Sequence, residues 1–149
     1  MISDEQVDSY RTDGYLVVEN LFSQEEIDEV RSVIDEFAER GKTLRASDGI
    51  IELEETHTLE QPRLRRIIWP DKHHPVFRDF VRGPKYVDVV SRLIGPNIRA
   101  IGHKLNMKSG SFGSPVEWHE DWAFFPHTNN NVLAIGICLD DMTEANGCL

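Results

Sequence analysis

Trp118-His119-Glu120-Asp121-Trp122 holds the residue types that could do chemistry at a useful spacing. Residues 116–125 read as a strand, and on a strand positions i and i+2 point to one face. His119 and Asp121 are therefore expected to project together, with Glu120 on the other side. One imidazole and one carboxylate supply two of the three donors of a 2-His-1-carboxylate site. Such a site holds Fe(II) on one face and leaves the opposite positions open. By spacing alone the signal is weak and favours a surface or hydrogen-bonded pair, so its surroundings must decide. Trp118 and Trp122 would share the opposite face as packing residues, and Phe125 would point with the pair. Two cations could meet an anion nearby. Lys108 ends the preceding strand, and Arg66 lies in the basic run Arg63-Leu64-Arg65-Arg66. Their plain readings are a solvated lysine and a surface salt bridge. His127 reads as a turn histidine.

The elements that must place these residues fall into two groups. Ser3 with Gln6 has capping-box spacing, and a short helix follows to Asp13-Gly14. Tyr15 to Val18 reads as a short strand. Ser23 caps a second helix with an acidic first turn and the apolar face Ile27, Val30, Ile34 and Phe37, ending at Arg40-Gly41. Ile50 to Leu53 reads as a strand inside an otherwise indistinct stretch, 42–74. Pro75 opens a helix that runs to Gly83-Pro84, and another follows to Gly95-Pro96. Beyond Pro96 the pattern changes to three strands, 98–107, 116–125 and 132–139, the last apolar as a core strand should be. Asn146-Gly147 marks a tight turn. Helices followed by antiparallel strands predict an α+β domain over 1–149, helical to residue 95.

The bulk properties exclude several classes. The 149 residues carry a net charge of -10, which repels nucleic acid phosphates and anionic lipid surfaces. No apolar run is long enough to span a membrane, and the first residues lack a signal-peptide pattern. Cys138 and Cys148 form neither a metal-type pair nor a disulfide framework, which fits reduced thiols in a cytoplasmic protein.

The ordered set of segments resembles the phytanoyl-CoA dioxygenase family. It comprises Tyr10-Arg11 with Asp13-Gly14-Tyr15, Leu21-Phe22-Ser23, Gly95-Pro96-Asn97-Ile98, Lys108, His119 with Asp121, Trp122 to His127, and the ending Leu139 to Leu149. The likeness is weakest over 42–74. It implies a double-stranded β-helix (jelly-roll, cupin-like) fold with helices packed outside. It further implies a dioxygenase that uses Fe(II), 2-oxoglutarate and O2 to hydroxylate a small organic substrate, releasing succinate and carbon dioxide. His119 and Asp121 would be its iron ligands, with Lys108 and Arg66 as candidates to meet the cosubstrate. Related halogenases lack the carboxylate, so Asp121 implies hydroxylation.

The family's distal histidine and its cosubstrate-binding arginine have no counterpart before Leu149. Gly136 stands where some relatives carry a tryptophan. The jelly roll is thus expected to be incomplete over these residues, and residues 1–149 alone to be inactive and poorly soluble. Two other readings stay open. One is a non-catalytic jelly-roll binding module or degenerate relative lacking the third iron ligand. The other is a cupin-like metal enzyme that needs no 2-oxoglutarate.

Overall fold

The computed structural model describes residues 1–108, 110, 113–125, 128, 129 and 131–148. Two capping boxes start the chain. Ser3 accepts the Gln6 amide while Gln6 returns a bond to the Ser3 amide, opening α1 over Asp4–Asp13. Its C-cap, Gly14, sits at φ 82, a left-handed position that suits glycine. Ser23 and Glu26 repeat the device for α2, Gln24–Lys42. No strand forms at 15–18, where Tyr15 and Val17 are exposed. A strand needs a neighbour's backbone groups, and none is paired there among the described residues.

Helix α2 continues two residues past Arg40, through Gly41. The sequence marks this glycine as a stop, yet it serves as a contact point. A Cβ added there would lie 2.6 Å from Leu64 Cδ2 and 2.9 Å from its Cγ. The missing side chain lets the hairpin approach the helix. Gly41→Ala would gain about 1 kcal/mol in helix propensity. Overpacking against buried Leu64 would cost about 1–3 kcal/mol. A net destabilisation is expected in urea unfolding, and a stabilised variant would contradict this packing.

Three antiparallel strands form the sheet in the order β1 (Ile51–Leu53), β2 (Leu64–Ile68), β3 (Lys104–Asn106). Ile51 faces Ile67 and Glu52 faces Arg66, but Leu53 faces Leu64, so β2 carries one extra residue, Arg65. The bulge turns both Leu64 and Ile67 to the same side. There they join Ile51 and Val30, Val33 and Phe37 of α2 in the core, with Phe77 of α4 (Pro75–Phe80). Val33 thus joins the buried face of α2, while Ile27 is only partly buried. Leu105, Met107 and Leu139 pack on this core from the later part of the chain.

The remaining helices follow their prolines. α3 (Pro70–His73) precedes α4, whose first turn is capped by the His74 side chain. α5 covers Pro84–Ile94. Ion pairs tie the layers: Lys85 to Glu26 at 2.6 Å and Arg31 to Asp140 at 2.6 Å.

The later region departs from the three expected strands. Of 98–107 only Lys104–Asn106 pairs, with β2. Residues 132–139 form no strand among the described residues. Val116–Phe125 is not a strand either; it is irregular to Glu120 and then makes a helical turn, α6, over Asp121–Phe124. Aromatic and β-branched residues favour strands only where a partner ladder receives them.

Candidate metal centre

His119 and Asp121 come together by a different local route from the pleat of a strand. Glu120 is the N-cap of α6 and Asp121 its first residue. The turn folds the carboxylate back to the imidazole, placing Asp121 Oδ1 3.2 Å from His119 Nε2. Both side chains are about one-third exposed, 36% and 37%. His119 Nδ1 lies 2.6 Å from the Glu117 carbonyl oxygen. A carbonyl can only accept, so Nδ1 is the protonated nitrogen. Nε2 is the ring nitrogen that faces the carboxylate. The space between the two atoms suits a positive charge, either a proton on the ring or a metal ion.

A metal ion fits that donor set. Imidazole nitrogen with carboxylate oxygen suits Fe(II). Ligands bonded at about 2.1 Å and at right angles stand about 3 Å apart, close to the separation here. The backbone carbonyl on the far ring nitrogen is the usual outer partner of a ligating histidine. Phe124 stands edge-on to the imidazole, with ring centroids 5.7 Å apart. No cluster of three or more His, Cys, Asp or Glu gathers among the described residues, so this pair supplies two donors.

The neighbouring residues fall differently from expectation. Trp118 is 93% exposed and Trp122 46%, so neither packs in the core. The irregular backbone removes the second face that would have buried them. Phe124, rather than Phe125, meets the imidazole. His127 lies outside the described residues. Lys108 is directed at the turn Glu144–Asn146, where a Cβ on Gly147 would come within 2.7 Å of its Nζ. Arg66 pairs with Glu52 across the ladder, Nε to Oε2 3.0 Å. Glu52, Arg66 and Asn106 lie in register. Ile51, Ile67 and Leu105 pack on the helices, so these three occupy the sheet face turned away from them.

Two buried groups carry no local sequence signal. Glu54 is 7% exposed and receives hydrogen bonds from the Ser114 amide, at 3.1 Å, and the Ser114 hydroxyl. Burial opposes its charge, but the Ser114 bonds and the fields of Arg65 and Arg66 outweigh it. The carboxyl is held below its ordinary 4.5. A depressed carboxylate stabilises the fold above its unfolded pKa, and that contribution is lost as pH falls through the folded value. The stability advantage of wild type over Glu54→Gln is therefore expected to be full above pH 4.5 and to shrink below it. Urea unfolding of both proteins across the acid range checks this, and a gap that widens in acid would contradict it. The second group is Asp71, 6% exposed, with Oδ1 2.9 Å from His103 Nδ1 and Oδ2 3.6 Å from Arg82. The His103 contact lies within ion-pair distance but off the direction of a good hydrogen bond. Asp71 and His103, with Trp69, Lys72, Arg82 and Arg99, line a cavity of about 350 Å³.

Comparison with known proteins extends this reading. Over 151 residues the chain is 37% identical to the "Probable alpha-ketoglutarate-dependent hypophosphite dioxygenase" of Stutzerimonas stutzeri, covering 97% of this chain and 50% of that protein. It is 28% identical to the ectoine dioxygenase of Bordetella parapertussis, covering 99% of this chain and 47% of that protein. The chain thus spans about half the length of the curated relatives it matches. Its fold matches the crystal structure of EctD from S. alaskensis with bound Fe, with a TM-score of 0.71 and 24% identity, over 83% of this chain and 42% of that one. The family model for phytanoyl-CoA dioxygenase (PhyH) matches residues 10–149, nearly the whole sequence, and the chain belongs to that family.

Proposed function

We propose that these residues form part of an Fe(II)- and 2-oxoglutarate-dependent dioxygenase that hydroxylates a small substrate, with His119 and Asp121 as iron ligands. The observation that carries this is the 3.2 Å approach of Nε2 to a carboxylate oxygen, with Nδ1 committed to a carbonyl. When bound, iron would let O2 oxidise 2-oxoglutarate to succinate and carbon dioxide while the substrate is hydroxylated. In this chain His119 and Asp121 would hold the metal and leave its other face open. Arg66 and Lys108 are the cations proposed for the cosubstrate's carboxylate. Arg66 stands opposite Asn106, and Lys108 follows two residues later. To meet the cosubstrate Arg66 would exchange its partly buried pair with Glu52 for the new carboxylate. The full architecture proposed is a jelly roll, and the location proposed is a reducing compartment, consistent with the two free cysteines.

The relatives' names direct the substrate search to small molecules, with hypophosphite first and ectoine second. The test uses the protein expressed from its complete reading frame. Succinate formed from 2-oxoglutarate is measured with and without Fe(II) and each candidate substrate. Iron-dependent succinate that rises with substrate is expected. Metal-dependent turnover without succinate would favour a cupin-like enzyme of another type. Neither iron uptake nor turnover would leave a binding module.

A further inference from the structure

We propose that Glu54 is a positioning residue for the iron-binding segment, acting through Ser114; the proposal rests on the iron reading above. Residues 113–120 belong to no helix or strand, and among the described residues no backbone ladder sets where His119 stands. The Glu117 carbonyl orients its ring but belongs to the same segment and moves with it. Ser114, five residues before His119, is where the segment is tied to the scaffold. Its amide and its hydroxyl both donate to the one carboxylate of Glu54. Two bonds from one residue to one carboxylate restrict direction as well as distance.

The anchor is itself held. The Glu54 amide donates to the Arg63 carbonyl at 3.0 Å, and its carbonyl accepts from the His57 amide at 2.9 Å. The His57 ring closes the loop, with Nε2 2.9 Å from the Leu44 carbonyl and Nδ1 accepting the Arg63 amide at 2.9 Å. Glu54 therefore extends the β1–β2 hairpin as a fixed point. Arg65 and Arg66 lie close enough to favour its charge. The same latch thus brings the segment carrying His119 to the hairpin that carries Arg66.

The test titrates Fe(II) anaerobically into the protein from the complete reading frame and four variants. Glu54→Ala is expected to weaken iron binding several-fold, up to about tenfold, the low end of what loss of a ligand's direct partner costs. Ser114→Ala, which keeps the amide bond, should fall between it and wild type. Glu54→Gln, which keeps an acceptor, should recover part of the loss. Asp48→Ala is the stability control. It removes bonds to the Ile50 and Ile51 amides at the start of β1, so it should lower the melting temperature and leave iron affinity unchanged. Should Glu54→Ala fail to fold, Ser114→Ala carries the test. Wild-type affinity in Glu54→Ala or, failing that, in Ser114→Ala would overturn the latch while the iron reading stands. A wild-type protein that takes up no iron would overturn both.

Discussion

His119→Ala, made in the protein from the complete reading frame, is expected to lose iron-dependent succinate formation by about a hundredfold or more. Losing an outer-shell partner costs about 10–100-fold, and loss of a ligand should exceed that. Asp121→Ala should match it. The two residues present one donor each to one site, 3.2 Å apart, so removing either takes a donor from the metal. Glu120→Ala is the local comparison. Glu120 shares the segment but makes no side-chain cap to α6, and it should retain most of the activity. Iron content measured on the same samples separates lost metal from lost chemistry. Unchanged turnover in His119→Ala would remove it from the ligand set.

His103→Ala is expected to have the largest effect on stability. The Asp71 side chain is 3% exposed and His103 is 2.9 Å away, while Arg82 reaches the other oxygen only at 3.6 Å and is itself largely exposed. Taking His103 away leaves the buried Asp71 carboxyl without its nearest polar neighbour, and an unsatisfied buried polar group costs about 1–3 kcal/mol. Asp71→Asn in the same background replaces the carboxyl with an amide, so the double variant should regain part of the loss, a coupling that a mutant cycle measures. Urea unfolding with an unchanged slope would assign the difference to stability rather than to the denatured state. A loss below about 1 kcal/mol would place this pair with surface salt bridges.

Local signals were readable where local chemistry decides. Ser3 with Gln6 opens its helix as a capping box, Ser23 caps the second, and Pro75 opens another. Gly14 ends the first helix in the left-handed conformation expected of it. The sequence misleads where a distant partner decides. Gly41 resembles a helix stop until Leu64 is seen packed against it. Val116 to Phe125 has strand composition, but no ladder receives it among the described residues, and Trp118 stands almost fully exposed. The His119–Asp121 pair survives that change because the two flank Glu120, the N-cap of α6, where extended backbone gives way to helix and the side chains meet. Glu54 and Ser114 lie 60 residues apart, and their bond has no periodicity or motif to announce it. The same holds for Asp71 and His103.

The most direct measurement is the position of iron in crystals of the Fe(II)-loaded protein from the complete reading frame, located by anomalous diffraction at the iron edge. One iron per chain is expected, within bonding distance of His119 Nε2 and an Asp121 carboxylate oxygen, with His119 Nδ1 still on the Glu117 carbonyl. Iron bound elsewhere, or a fully loaded protein with no metal at this pair, would contradict the assignment.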